Sequence, residues 1–430
     1  MCSDEDLVAD SDLTRDAGEN LRVGVITVGD EILEGRIVDL HSRTTSALLT
    51  PLGVEVVWHL SIGDAPGALN SALQSTPAPV DAIIVAGGLG PTEDDRSRQE
   101  IASATAEPLE FDEESWQRIR NRLVKAGLEP AQNNRSQAYR PRGSASLANE
   151  WGSAPGFQMS FGAETMLFAL PGVPTEFDPM LLKYVLPWAQ SGSVKIETGE
   201  ILEFIGIPES TLDEWIVAEL GESGTHHICV KGWGQIEVRL PAGVSLGRQS
   251  SDKFGARFVG EGGIGVEAHL VKEALQTGIT IATAESCTGG LIGARITEVA
   301  GCSEVYLGGW VCYSYEAKAR ELGVDPAVIE IEGAVSAQVV EAMASGARDR
   351  SGSDLAVAVS GIAGPGGATE QKPVGTVWMA LSGGEGTSSH CYQLSGTRDR
   401  IRQLTTNLAM QVVLARIRQQ EIPGWSKQRS

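Results

Sequence analysis

Four apolar runs in this 430-residue chain each end in a turn rich in glycine or small polar residues, and that pairing restricts the fold more than any other feature. Arg22-Val23-Gly24-Val25-Ile26-Thr27-Val28 leads into Gly29-Asp30-Glu31, and Asp81-Ala82-Ile83-Ile84-Val85-Ala86 into Gly87-Gly88-Leu89-Gly90-Pro91-Thr92-Glu93-Asp94-Asp95. Ile279-Thr280-Ile281-Ala282-Thr283 leads into Ala284-Glu285-Ser286-Cys287-Thr288-Gly289-Gly290, and Leu355-Ala356-Val357-Ala358-Val359 into Ser360-Gly361-Ile362-Ala363-Gly364-Pro365-Gly366-Gly367. Short, continuous apolar runs bounded by turn residues read as buried strands, and segments of helical period such as Leu291 to Ile296 follow them. Strands alternating with helices imply βαβ units and a sheet covered on both faces. The expected class is α/β, with two domains of parallel or mixed sheet joined by a small α+β module.

The domain boundaries follow the same pattern. Residues 1–20 carry seven carboxylates and one arginine with no apolar stretch, so they read as a disordered acidic tail. Residues 21–190 form the first α/β domain, with a helix expected from Ser42 to Leu52 and a strand over Val54–Trp58. Residues 193–260 form the α+β module, with a helix over Ser210–Leu220 and a strand over Gln235–Leu240. Gly260-Glu261-Gly262-Gly263-Ile264-Gly265 reads as a linker, and residues 266–420 as the last domain.

Charge and cysteine usage exclude several functions. The net charge is −22, and −16 without the acidic tail, so tight contact with a nucleic-acid backbone is not expected. No apolar run approaches the roughly 18 residues of a membrane span. The six cysteines (Cys2, Cys229, Cys287, Cys302, Cys312, Cys391) form no CxxC pair, which argues against a zinc site or a disulfide framework. A cytoplasmic protein with no membrane attachment, acting on small molecules and forming a homo-oligomer, a dimer, is expected. The histidines are isolated apart from His226-His227, a pair with no partner motif that reads as structural or surface residues.

In the first domain the glycine turns supply N–H groups for phosphate oxygens, while Asp30, Glu31, Asp94 and Asp95 are candidates to hold a divalent cation. Gly88 and Gly90 are the phosphate-side candidates, and Leu170-Pro171-Gly172-Val173-Pro174-Thr175-Glu176 is a rigid turn presenting Glu176. The competing reading makes these a tight turn and a set of helix-start acids.

In the last domain Ser286 sits on a strand-to-helix turn, where unpaired helix amides point at whatever binds. Lys318 follows thirty-two residues later, just past the strand over Val305–Cys312. A Ser–Lys pair can hydrolyse an amide provided the lysine is brought from about 10.4 to roughly 7–8. Cys287 is the rival nucleophile, but His269 and His390 lie in no turn motif that would supply its base. The loop Ser360 to Gly367, with Gly361, Gly364 and Lys372, offers donors for an oxyanion or a phosphate, and Arg398 in Gly396-Thr397-Arg398 offers a guanidinium.

GDEILEG, GGLGPTEDD, the segment Asn149 to Phe157 and PGVPTE together resemble the molybdopterin-binding-like domain at the amino end of CinA-family proteins. TAESCTGG, YSYEAK, GAVS (Gly333 to Ser336), SGIAGPGG, KPVG and GTR resemble the carboxy-terminal CinA domain, also found alone as nicotinamide mononucleotide deamidase. The second resemblance implies hydrolysis of the nicotinamide amide without a cofactor. Ser286 would be the nucleophile and Lys318 the base, with Tyr313, Glu285, Thr288, Gly289, Gly290, Ser360 and Arg398 lining the site. The first implies a metal-dependent ADP-ribose pyrophosphatase. This chain departs from that family pattern, having Asp39-Leu40-His41 where the family usually reads Asp-Thr-Asn. A competence or damage-response partner that only binds nucleotides or proteins is the non-enzymatic alternative.

Overall fold

The computed structural model describes residues 20–192, 199–221, 226–422 and 425, so the acidic tail apart from Asn20 lies outside the described residues. The chain divides into two compact units, Met1–Thr198 and Gly199–Ser430.

In the first unit the strands are β1 (Arg22–Val28), β2 (Glu55–Ile62), β3 (Ala82–Ala86), β4 (Leu109–Phe111), β5 (Tyr139–Pro141), β6 (Ala145–Leu147), β7 (Gly156–Phe161) and β8 (Thr165–Leu170). Six of them form a sheet in the order β2-β1-β3-β8-β7-β6, while β4 and β5 form a separate ribbon. The first four are parallel; β7 and β6 are antiparallel additions. The sheet is therefore mixed. Val23, Val25 and Ile84 pack on one face with the helix Leu40–Leu49 and the segment Pro174–Gly192, and Ile26, Ile83 and Val85 on the other with the helices Ala68–Gln74 and Ser97–Thr105. That two-sided burial is why the runs carry no polar alternation. The expected helix from Ser42 to Leu52 starts earlier, at Leu40, and tightens into a 3₁₀ turn at Thr50–Leu52, where Pro51 cannot donate to an α-helical ladder.

The second unit contains two sheets. Strands β9 (Ile201–Ile205), β10 (His227–Gly232), β11 (Gln235–Arg239) and β12 (Phe258–Glu261) form an antiparallel sheet in the order β10-β11-β9-β12, flanked by the helices Glu209–Leu220 and Gly247–Phe254. The glycine segment expected as a linker thus begins inside β12, and the connection starts only at Gly262. Strands β13 (Ile281–Glu285), β14 (Tyr306–Val311), β15 (Leu355–Gly361), β16 (Thr376–Gly383) and β17 (Gly386–Gln393) form the second sheet in the order β14-β13-β15-β16-β17. Strands β14, β13 and β15 are parallel, and β16 and β17 antiparallel.

Alternation within β15 shows how sequence builds the layers. Leu355, Val357 and Val359 face the helices Val266–Thr277, Leu291–Thr297 and Arg398–Ile417, while Ala356 and Ala358 face Tyr315–Leu322 and Ala337–Ser351. The alanines let that second layer approach closely, and β13 repeats the pattern with Ile281 against Ala282 and Ala284. The next strands in the chain, β14 and β15, lie on opposite sides of β13. The carboxyl end of β13 is therefore the point where the strand order reverses, the usual ligand position in open α/β sheets. Ser286 is the next residue.

Candidate active site

Glu285 explains the turn that carries Ser286. Its carboxylate is buried and accepts hydrogen bonds from Thr288 Oγ1 (2.7 Å) and from the amides of Gly290 (2.9 Å), Ile292 (3.1 Å) and Gly293 (2.9 Å). These are the first amides of the helix Leu291–Thr297, which has no partners within the helix itself. Gly290 takes φ +95, a conformation in which a side chain is strained. The amide of Ser286 donates to the Val359 carbonyl (3.1 Å), and that of Gly289 to the Ser286 carbonyl (3.1 Å). The turn is held from both sheet and helix. Among the described residues the amides of Cys287 and Thr288 meet no backbone acceptor, and both lie beside the Cys287 sulfur.

Lys318 arrives from the neighbouring strand. Because Glu285 pairs with Val311, the exits of β13 and β14 lie side by side, and Ser314 starts the helix Tyr315–Leu322 by accepting a hydrogen bond from the Ala317 amide (3.1 Å). Lys318 Nζ lies 3.1 Å from Ser286 Oγ and donates to the Cys312 carbonyl at 2.7 Å. Only 1% of Lys318 is exposed, against 9% of Ser286. No ion pair involves this lysine among the described residues. Burial holds its pKa below the ordinary 10.5. Burial acts on Cys287 in the opposite sense, pushing its thiol up to about 12, so the neutral thiol dominates, and the lysine lies against the neighbouring hydroxyl.

Other expected contacts surround this pair. Tyr313 is exposed, and its OH accepts from Arg398 Nη2 (2.8 Å), while Arg398 Nη1 donates to the Gly364 carbonyl (2.7 Å). Ser360 is buried and donates to the Ala334 carbonyl (2.7 Å), which ties the loop after β15 to the GAVS stretch. Gly361 packs so closely on β16 that a Cβ would lie 2.7 Å from Val377 Cγ2. Two residues expected as substrate contacts are engaged at helix ends. Glu285 is taken up by the start of the helix after it, and Lys372 Nζ donates to the Glu332 carbonyl (2.7 Å) at the end of Pro326–Glu332. Thr288 is likewise buried and committed to Glu285. Arg402 was not anticipated: it donates to the Thr288 carbonyl (2.9 Å), and its position one helical turn after Arg398 is the signal that marks it.

In the first unit a cavity of about 350 Å³ opens where the sequence placed a phosphate site. The turns after β1, β3 and β8 line it, including Glu31, Gly88, Gly90, Asp94, Asp95 and Glu176, and Asp64 joins them. The acids are largely engaged with the protein. Asp95 accepts from the Gly90 (2.8 Å) and Thr92 (2.9 Å) amides, Glu176 from Asn149 Nδ2 (2.6 Å), and Asp30 and Asp64 each accept the other's amide. Burial raises the pKa of Asp64, and the neighbouring Asp30, Glu31 and Asp94 add to the shift. Among the described residues no group of three or more His, Cys, Asp or Glu is placed to hold a metal ion, so Asp30, Glu31, Asp94 and Asp95 do not form a ready-made ligand set. Gly88 takes φ +68, and a Cβ there would lie 2.2 Å from Ser97 Oγ. Asp39 caps the helix Leu40–Leu49 through the Ser42 amide (3.1 Å). His41, which the sequence reading named only in the departure Asp39-Leu40-His41, also lines this cavity; it is 7% exposed, lies edge-on to Phe177 at 4.5 Å, and among the described residues its Nε2 has no hydrogen-bond partner.

Two family models match the chain: the CinA C-terminal domain over residues 264–417 and a probable molybdopterin binding domain over 24–191. A CinA-like protein of Geobacter sulfurreducens is 36% identical over 405 residues, covering 91% of this chain and 98% of its own length. The chain belongs to the CinA family. A putative competence-damage inducible protein of Acetivibrio thermocellus is 36% identical over 401 residues, covering 90% of this chain and 97% of its own length. Among solved structures, the competence/damage inducible protein CihA from Agrobacterium tumefaciens is 40% identical with a TM-score of 0.34, covering 35% of this chain and 92% of that one. The CinA C-terminal match contains Ser286, Lys318, Ser360 and Arg398, and the molybdopterin-binding match contains the whole lining of the first cavity. No helix among the described residues is long and apolar enough to cross a membrane.

Proposed function

We propose that this CinA-family protein is an amidohydrolase that converts nicotinamide mononucleotide to nicotinate mononucleotide and ammonia. The observation that carries the reading is Lys318 Nζ, buried, without an ion pair and 3.1 Å from Ser286 Oγ. In its neutral form the lysine keeps one N–H on the Cys312 carbonyl and turns its lone pair to the serine O–H. It takes the Oγ proton as Oγ attacks the carboxamide carbon. The oxyanion formed is met by amides of the turn, those of Cys287 and Thr288, which have no backbone acceptor and would turn from the Cys287 sulfur to it. The protonated lysine then delivers its proton to the departing nitrogen, and ammonia leaves. Water, deprotonated by the same amine, attacks the resulting ester and frees the carboxylate and Ser286. No cofactor enters. The substrate's phosphate falls to Arg398, whose partners Tyr313 and Gly364 must release it or share it.

The test is incubation with nicotinamide mononucleotide, following ammonia. Release by the wild-type protein and its loss in Ser286→Ala supports the reading, whereas equal release by both defeats it.

A second activity is assigned to the first unit on a different observation, the cavity at the carboxyl ends of β1, β3 and β8. We propose ADP-ribose, with divalent metal supplied, as the substrate to test there. The described residues offer no preformed metal cluster, so no step is assigned to a metal. AMP release lost in Asp94→Ala, with ammonia release intact, separates the two activities. Failure of both assays would favour a binding role of the kind the relatives' competence-damage names suggest.

A further inference from the structure

The helix Arg398–Ile417 runs from the serine site to the small module. Near its start Arg398 and Arg402 hold the carbonyls of Gly364 and Thr288. Farther along, Gln411 Nε2 donates to the Ala256 carbonyl (2.8 Å), and Arg418 just past the end donates to the carbonyls of Phe258 (3.0 Å) and Val259 (2.6 Å). Between these groups lies Asn407, which is fully buried.

Asn407 joins three parts of the unit. Its Oδ1 accepts from Gln235 Nε2 of β11 (3.2 Å) and from Arg295, and its Nδ2 donates to the Trp233 carbonyl (2.9 Å). Trp233 and Gln235 flank the β10–β11 hairpin turn, where Trp233 takes φ +54. At Gly234 in that turn a Cβ would lie 3.0 Å from Leu404, so the hairpin tip sits directly on the helix. Arg295 belongs to the helix that begins at the serine turn, and its other hydrogen bond goes to Glu267. The nucleophile's helix is therefore fixed at its start by Glu285 and at its end by Arg295. The Arg295 anchor is shared with the module.

A buried amide that accepts from the hairpin strand and from the nucleophile's helix and donates to the hairpin turn has one good arrangement, and a change in any partner shifts the other two. We propose that Asn407 is a positioning residue through which the module's hairpin sets the geometry of the Ser286 turn. The inference rests on the amidohydrolase reading for its kinetic consequence and on the hydrogen-bond network for its structural one.

Gln235→Ala and Asn407→Ala in the full chain test it. The expected result is a fall of about tenfold in kcat for nicotinamide mononucleotide with KM nearly unchanged, since a small misplacement of the nucleophile slows chemistry more than binding. Amide hydrogen exchange over Ser286–Gly290 should quicken by about the same factor, measured without substrate. If Asn407→Ala fails to fold, the milder Gln235→Ala carries the test. A lowered Tm with wild-type kcat and wild-type exchange in that turn would show a merely structural tie and overturn the proposal. If the wild-type protein releases no ammonia, the amidohydrolase reading fails, and the exchange measurement alone decides the role of Asn407.

Discussion

The two glycine-rich turns after β1 and after β13 occupy equivalent places in their sheets, yet among the described residues it is the second that sets a hydroxyl against a buried amine. In both of these sheets the first strand in chain order is flanked by the next two on opposite sides, so both turns lie where the strand order reverses. After β13 the carboxylate of Glu285 satisfies the helix start and leaves Ser286 facing a buried amine. After β1 and β3 the acids face one another or their own loops, and the unpartnered group is an imidazole. Position at the sheet edge admits a ligand. The chemistry depends on which polar groups the local backbone has left free.

The largest expected effect breaks the comparison at its active side. Ser286→Ala should lower kcat for nicotinamide mononucleotide by about 10⁴-fold or more, and Lys318→Ala by about 10²–10⁴-fold, measured as ammonia release at saturating substrate. AMP release from ADP-ribose should be the same in both variants as in the wild type, because the first unit's cavity contains neither residue. Joint loss of the two activities would mean the sites are not independent.

Lys318 also gives the active side a pH signature. Its folded pKa lies below the unfolded 10.5, so between those values the unfolded chain binds more protons and stability rises with pH. The destabilisation is fully present below the folded pKa and disappears as pH passes 10.5. Lys318→Met should therefore be more resistant to heat than the wild type at neutral pH while lacking activity, with the advantage shrinking toward alkaline pH. Wild-type kcat should rise along an acid limb as the amine loses its proton. A Tm difference that stays constant with pH would contradict the buried-amine account.

How far the sequence showed these two sites follows from the range of each interaction. Ser286 was legible because strand, turn and helix are contiguous. The approach of Lys318 depends on the parallel register that puts Glu285 opposite Val311, and its shifted pKa depends on burial; neither is a local property. The mixed character of both sheets was only partly visible, since the added strands β7 and β17 are placed by hairpin pairing with β8 and β16. Lys372 was read as a ligand contact because a charge beside a glycine turn suggests binding, and Glu285 because the family resemblance implied it, and both are engaged at helix ends through interactions that no local signal showed. His41 was passed over because a lone histidine carries no local signal. Its place beside the cavity is set by the helix Leu40–Leu49 packing on Phe177.

The passive side of the comparison can be sharpened at that histidine. His41→Asn removes an edge-on ring contact worth about 1 kcal/mol and puts a shorter amide beside the cavity. It should lower the Tm modestly, alter any ADP-ribose turnover or binding, and leave ammonia release unchanged. Unaltered behaviour toward ADP-ribose would assign His41 to packing alone.

The smallest expected effect concerns Cys287, and it decides which neighbour in the active turn is the nucleophile. Its thiol is buried and held protonated up to about pH 12, whereas Cys229 and Cys391 are exposed. Iodoacetamide at neutral pH should therefore modify Cys229 first, and Cys391, whose thiol partial burial pushes up, more slowly, while leaving ammonia release intact, because alkylation requires the thiolate and access to it. Cys287→Ala should retain nearly full activity and lose only about 1 kcal/mol of stability, for the buried sulfur removed. Rapid inactivation by the reagent, prevented by substrate and absent in Cys287→Ala, would transfer the chemistry from the hydroxyl to the thiol. It would also leave Lys318, 3.1 Å from Ser286 Oγ, as a base without a nucleophile.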